Sequence, residues 1–432
     1  MALCALSAAV EKCTQNYSSF AIEKARKTET MISQIDVVET TEKYEEFFKR
    51  YLLANRPCKI SSIATRDWKS SRWVDSHGKP DLQYIRETFG LAVAPVADCS
   101  IKSYNSQLKS DMTVADFVSY WEKVMKNGHD YSETPCLYLK DWHLVKDFPV
   151  YHAYNTPTFF TSDWLNEFWM QRTDLNDDYR FVYMGPKGSW TPFHADVYGS
   201  FSWSANVCGR KLWYIFCPGD EKYLEDKLGN LAYDITSPDL HNSAEFPNAY
   251  KLRNSDGSLG ITTVQEPGEA IFVPSGWHHQ VYNLEDTISI NHNWFNGCNI
   301  DLVWRKLWHA HHDVEEEISE LRGSENWHEQ CEIILRAHHG LNVSEFCWLL
   351  EVIAKTRLRL LESEDFESGN DPTCSKWHVL FDLVQVLATW RKMLTDAEEI
   401  LSVVDFNRDI VGEIVSTLNS HSSTEFSCLF DS

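Results

Sequence analysis

Residues 190–218 read WTPFHADVYGSFSWSANVCGRKLWYIFCP. Aromatic and β-branched residues dominate, and Gly, Ser and Pro divide the stretch into short runs of buried-strand texture. Within it stand three ionisable residues, His194, Asp196 and Lys211. Such groups are costly in these surroundings unless something pairs with them. On a strand, residues i and i+2 point the same way, so His194 and Asp196 can share one ion. Two histidines and a carboxylate on one face of an octahedral ion leave three positions open, a pattern that favours non-haem Fe(II). The third ligand is offered by AIFVPSGWHHQVYNL (270–284), where His278 and His279 follow an apolar run. Adjacent strand residues face opposite ways, so only one of the pair reaches the ion, and spacing alone leaves the choice open.

Lys211 opens KLWYIF, where it shares one strand face with Trp213 and Ile215. A lysine among such neighbours needs an anion. A dicarboxylate that chelates the iron at one end would set its distal carboxylate there. The alternative is a lysine at a strand start that snorkels to water. A second HxD triplet, His311-His312-Asp313, falls in a segment of helical period. On a helix its first and third residues diverge by about 200°, so they cannot share an ion. His309 and Asp313, four apart, can meet on one face, but no further ligand is evident and the cluster reads as a solvated helix face.

Outward from this centre, residues 179–300 form a succession of short β-rich runs punctuated by Gly, Pro, Asn and Asp, which predicts a sandwich or barrel. Residues 219–258 make a long polar connection and a candidate binding rim. Upstream, TEKYEEFFKRYLLANRPC (41–58), SRWVDSHGKPDLQYIRETFG (71–90) and TVADFVSYWEKVM (113–125, with Thr113 as cap) predict helices. LAVAPVADC and CLYLKDW predict strands, the latter with Leu137, Leu139 and Asp141 opposite Tyr138 and Lys140. From 301 the period is helical, through three long segments separated in part by the loop ESEDFESGNDP (362–372). The expected organisation is a weakly ordered lead-in (1–30), flanking helices and strands (31–150), a β core (151–300) and a C-terminal helical region (301–432).

The 432 residues are 43% hydrophobic and include 17 tryptophans, ample for a packed core. The net charge of −23 gives no help to binding nucleic acid or an anionic membrane. Twelve scattered cysteines without a CxxC pair predict reduced thiols, a cytosolic or nuclear setting and no zinc ribbon. The opening MALCALSAAVEKC lacks a basic n-region and predicts no signal peptide. No apolar run reaches the ~18 residues of a membrane span. Periodicity does not tell a buried helix face from an interface, so the oligomeric state stays open.

TPFHAD, GRKLW and GEAIFVPSGWHHQVYNLEDTISINHNW together resemble the Jumonji-C (JmjC) family of 2-oxoglutarate-dependent oxygenases. CLYLKDWHLVKDFP, SDWLNEFW and DDYRFVYMGPKGSW are similar to its cytoplasmic lysyl-hydroxylase branch. The likeness runs from about residue 45 to about 300 and more weakly through the tail. It implies an α+β fold, mainly β, built on a double-stranded β-helix of the jelly-roll or cupin kind. It implies Fe(II), 2-oxoglutarate and O2, with His194, Asp196 and His279 as the metal ligands, the family pattern selecting His279. It implies that Lys211, Thr191 and Tyr138 bind the distal carboxylate of 2-oxoglutarate, and that Asn293 lies near the chelating end. Where many members carry an asparagine after HxD, this chain has Ser200 and Ser204, with Asn206 at an unmatched offset. The branch further implies C4 hydroxylation of a lysine in eukaryotic translation termination factor 1, promoting termination. The competing readings are a JmjC demethylase, a non-catalytic JmjC-like binding module and a cupin-like zinc hydrolase, the last of which leaves Lys211 unexplained.

Overall fold

A computed structural model describes residues 10–15, 17, 26, 32, 34–61, 65–175, 177–252, 259–363, 371–403 and 407–421. Its strands are β1 (Asp36–Val38), β2 (Cys58–Ile60), β3 (Val93–Ser103), β4 (Ser106–Thr113), β5 (Leu137–Trp142), β6 (Arg180–Gly185) and β7 (Trp190–His194). They continue as β8 (Phe201–Cys208), β9 (Lys211–Phe216), β10 (Ile261–Gln265), β11 (Ala270–Val273), β12 (His278–Asn283) and β13 (Thr287–Trp294). The last eight divide between two sheets, in the orders β11-β8-β13-β6 and β10-β9-β12-β7. All their pairings are antiparallel. This is a double-stranded β-helix. The larger sheet is extended by β2 and β1 at one edge and by β5, β3 and β4 at the other.

Alternation along the strands sorts the interior from the core. On β8 and β13, Phe201, Trp203, Ala205, Ile288, Ile290 and Trp294 join the main apolar core outside the barrel. Their neighbours Ser202, Ser204, Asn206, Ser289, Asn291 and Asn293 face inward. Trp213, Ile215, Ile271, Val273 and Val281 fill the other half of the interior. Gly209 (φ 76) makes the tight β8–β9 turn, where a Cβ would strike the Asp286 carbonyl and the Thr287 side chain. Residues 219–252 differ from the expected rim. Leu224, Ala232, Ile235, Leu240 and Ala249 cover the outer face of the smaller sheet at Phe193 and Phe216, and only Leu231–Tyr233 reach a cavity beside His194.

The helices of eight residues or more are α1 (Leu82–Phe89), α2 (Val114–Lys126), α3 (Trp164–Gln171), α4 (Ile300–Glu317), α5 (Trp327–His339), α6 (Val343–Glu362), α7 (Lys376–Asp396) and α8 (Arg408–Ser420). Thr113 caps α2, accepting the Asp116 amide at 3.1 Å. The helix expected over 71–90 is confined to α1, because Pro80 and the capping Asp81 start it late. The one expected over 41–58 is an α turn, Tyr44–Phe47, that widens into a π-helix, Phe48–Leu53. Described residues of the expected weakly ordered lead-in are packed: Val10, Cys13 and Tyr17 are buried, and the Tyr17 hydroxyl donates to the Leu418 carbonyl at 2.7 Å. The rest of 1–30, and most of the loop expected over 362–372, lie outside the described residues. Described cysteines are free thiols, and among the described residues no helix is long and apolar enough to cross a membrane.

Candidate metal and co-substrate site

His194 and His279 face each other across the β7–β12 pair, their ring centroids 4.3 Å apart. Thr191 pairs with Val281, so Pro192 and Phe193 of β7 oppose the single Gln280 of β12. The bulge at Pro192–Phe193 therefore turns Thr191 and His194 to the same interior face. Asp196 lies beyond the strand, in extended backbone (φ −60, ψ 152) leading into the turn Val197–Gly199. Ligand atoms of His194, Asp196 and His279 all lie within 4.8 Å of one another. His278 points outward, against Phe193 and toward Glu221 at 3.7 Å.

The surroundings prepare each group for a cation. His194 Nδ1 is 2.8 Å from the Pro192 carbonyl, and His279 Nδ1 is 3.1 Å from the Trp277 carbonyl. Both bonds assign the proton to Nδ1 and free Nε2 as the ligand atom. Burial, then the neighbouring His279 ring, push the His194 imidazole down to about 3, which keeps it neutral. Burial raises the Asp196 pKa, but the two imidazoles and hydrogen bonds from Ser202 and Asn293 outweigh it and hold the carboxyl below its usual range. Ser202 Oγ donates to Asp196 at 2.7 Å, and Asn293 Nδ2 donates to it at 2.9 Å. Two imidazoles that present Nε2 and an oriented carboxylate fit Fe(II).

Asn293 also donates to Ser200 Oγ at 3.1 Å. Its amide is thus committed to the Asp196 loop, whereas the resemblance set it near the co-substrate. Lys306 of α4 donates to the Asp196 carbonyl at 3.0 Å. Tyr198 (φ 58) shares a hydroxyl hydrogen bond with Tyr179 and sits where a Cβ on Gly340, just past the end of α5, would come within 2.5 Å of its oxygen. The C-terminal helices therefore brace the loop that carries a candidate ligand. Sequence reasoning missed Ser202 and Lys306; no pattern in one chain marks a helix lysine that reaches a backbone carbonyl 110 residues away.

Lys211 is 2% exposed. Its ammonium donates to Ser289 Oγ at 2.7 Å, and no carboxylate pairs with it among the described residues. Burial alone takes it down to about 7. Cross-strand from it stands Asn283, whose Oδ1 is buried without a partner, as are Asn206 Oδ1 and Ser204 Oγ. Burial raises the Tyr138 hydroxyl, and a hydrogen bond with Asn283 opposes the rise. A buried cation lacking an anion, amid unsatisfied polar atoms, fits the far end of a dicarboxylate.

A cavity of about 520 Å³ opens onto this interior, lined by Thr191, His194, Asp196, Asn293, Lys140 and Asp141 among others. The strict alternation expected for β5 fails at Asp141 (φ 61), where a bulge turns both Lys140 and Asp141 to the cavity. Lys140 is a second buried cation, donating to Gln107 Oε1 at 3.1 Å. The second histidine cluster departs from a solvated face, because His311 is buried.

The JmjC domain, described as a hydroxylase domain, matches residues 181–294. The 2-oxoglutarate and iron-dependent oxygenase JMJD4 of Danio rerio is 46% identical over 374 residues, covering 84% of this chain and 87% of that protein. The Homo sapiens protein of the same name is 50% identical over 328 residues, 76% and 77% of the two chains. The chain belongs to this JmjC oxygenase family. Iron, 2-oxoglutarate and O2 are the family's cofactor and co-substrates, and the chain is an enzyme of that class. Another relative, the arginine-specific demethylase JMJ20 of Arabidopsis thaliana, is 40% identical over 385 residues, 84% and 80% of the two chains.

Proposed function

We propose that this oxygenase hydroxylates a lysyl side chain at C4 in a protein substrate, eukaryotic translation termination factor 1, in the cytoplasm. His194, Asp196 and His279 hold Fe(II), and Lys211 grips the distal carboxylate of 2-oxoglutarate with Thr191 and Tyr138 beside it. The observation that carries this assignment is the unneutralised, buried ammonium of Lys211 in the same interior as the His/Asp/His cluster. The bound iron, with 2-oxoglutarate and O2, supplies the oxidising equivalents for a C–H bond. The chain's own residues orient the ligands, exclude water and hold the co-substrate.

The substrate's side chain reaches the metal through the 520 Å³ cavity. Asp177 lines the cavity with a side chain 48% exposed, 3.3 Å from His143 Nε2 and accepting the Asp178 amide at 2.8 Å. Asp141 is already ion-paired with Lys109, so Asp177 is the cavity carboxylate that suits a cationic side chain, and the −23 charge suits a basic partner. An arginine demethylase is the second reading, favoured by the name of the Arabidopsis relative. Incubation with the termination factor, Fe(II), 2-oxoglutarate and ascorbate, followed by peptide mass spectrometry, decides. One added oxygen on a lysine, absent with His194→Ala, supports the proposal. Succinate release without that oxygen, or loss of methyl groups from a methylarginine peptide, overturns it.

A further inference from the structure

The hairpin of α4 and α5 carries ligand-type side chains that the oxygenase reaction does not use. His311, His312 and Glu315 bring their ligand atoms within 4.8 Å of one another. Glu315 Oε2 lies 3.9 Å from His311 Nδ1 and 3.8 Å from His312 Nδ1. Both separations are too long for hydrogen bonds. Both are slightly wider than the ~3.3 Å edge of a tetrahedron of ligands set ~2.0 Å from zinc. Small side-chain rotations close that gap around one ion.

His311 supplies an independent observation. Its side chain is 0% exposed, yet neither ring nitrogen has a hydrogen-bond partner among the described residues. Burying an unpartnered polar atom is costly, and this ring buries two. Trp308 stacks on it at 5.1 Å, closing the apolar side. His312, 55% exposed, and Glu315, 23% exposed, leave the other side open to solvent.

Helix α5 packs beside α4. His328, in its first turn, buries an Nδ1 without a partner. Burial lowers the His311 pKa, Glu315 opposes, and His312 and His328 add to the lowering. Cys331, three residues beyond His328 and on the same helix face, has its thiol raised to about 11 by burial and then by the Glu315 carboxylate.

We propose that His311, His312 and Glu315 of α4 hold a divalent transition-metal ion of the zinc type, its remaining position open to solvent. Imidazole and carboxylate donors suit zinc. The ion satisfies a buried ring nitrogen and steadies α4, the helix whose Lys306 braces Asp196.

The test uses full-length His194→Ala/His279→Ala protein, which lacks both imidazoles of the oxygenase cluster, stripped with a chelator. Zn2+ titration by calorimetry is expected to show one ion bound, with a rise in melting temperature. Adding Glu315→Gln or His312→Ala, both at solvent-accessible positions, is expected to weaken binding at least about tenfold. In the parent protein, metal analysis after zinc loading is expected to lose one ion per chain on Glu315→Gln while the fold is retained. Absence of zinc binding in the His194→Ala/His279→Ala protein overturns the proposal, as does equal affinity with and without Glu315 and His312.

Discussion

A Lys211→Met substitution keeps the aliphatic stem and deletes the ammonium. In the fold Lys211 titrates at about 7, lowered by burial, against ~10.4 in an unfolded chain. Between these values the unfolded chain binds more protons, so stability rises with pH and the penalty is fully present below pH 7. At pH 7 the shift corresponds to a cost of about 4 kcal/mol without co-substrate. Replacing a buried charge by an apolar group of similar shape recovers roughly 1–4 kcal/mol. Ser289 is not orphaned by the change, because Asn291 Nδ2 donates to its Oγ at 3.1 Å. With an unfolding entropy of ~2.1 cal/mol/K per residue, each kcal/mol moves the melting temperature of this chain by roughly 1 °C. The variant should therefore melt about 1–4 °C above the parent at pH 7, the gap closing toward pH 10. Saturating 2-oxoglutarate should shift the comparison toward the parent by ~2.7 kcal/mol at about 100 Kd, because it stabilises the parent alone, and reverse the order where the variant's gain is smaller than that. Melting curves from pH 6.5 to 10, with and without 2-oxoglutarate, read both effects. A variant that melts below the parent at pH 7 while gaining as much from 2-oxoglutarate refutes the reasoning.

Because Lys211 must be charged to grip a carboxylate, 2-oxoglutarate binding above pH 7 takes up a proton, and its apparent Kd should rise about fifty-fold between pH 7 and 9. Calorimetry in buffers of different ionisation enthalpy reads the proton directly, and a flat profile rejects that role. Ser202→Ala and Asn293→Ala each remove a donor to Asp196 and should weaken iron binding about 10–100-fold in an equilibrium titration. Lys306→Met should weaken it about tenfold, Lys306→Arg restoring most of the loss; unchanged affinity would detach the helical region from the metal loop.

Much of this was legible in one chain because the chemistry sits on strands of strong texture. His194, Asp196 and Lys211 stand out as charges among aromatic residues, and the β runs from 179 to 295 coincide with β6 to β13. The choice between His278 and His279 required the register of β12 against β7 and β9. Asn293 was legible as an inward polar residue, but its hydrogen bonds to Asp196 and Ser200 depend on a loop that strand logic does not describe. The second histidine cluster departs from a solvated face for a related reason. The pair that comes together there is His311 with Glu315, and only the packing of Trp308 shows which histidine is buried.

Three bulges explain why a period of two cannot place the remaining residues. On β8, Val207 is extra: Ser289 pairs with Asn206 and Ile288 with Cys208, so Asn206 stays inside beside the Lys211 partner while Cys208 joins the outer core. On β5, the left-handed Asp141 turns its carboxylate to the cavity and accepts the Tyr183 hydroxyl at 2.5 Å. On β7, the bulge at Pro192–Phe193 lets Thr191 and His194, an odd number of residues apart, share the interior. Strict alternation from His194 would instead aim Thr191 outward, onto the side where Phe193 joins the apolar cluster of Phe216 and Leu224. The barrel thus departs from regular strand geometry where the chemistry has to be aimed.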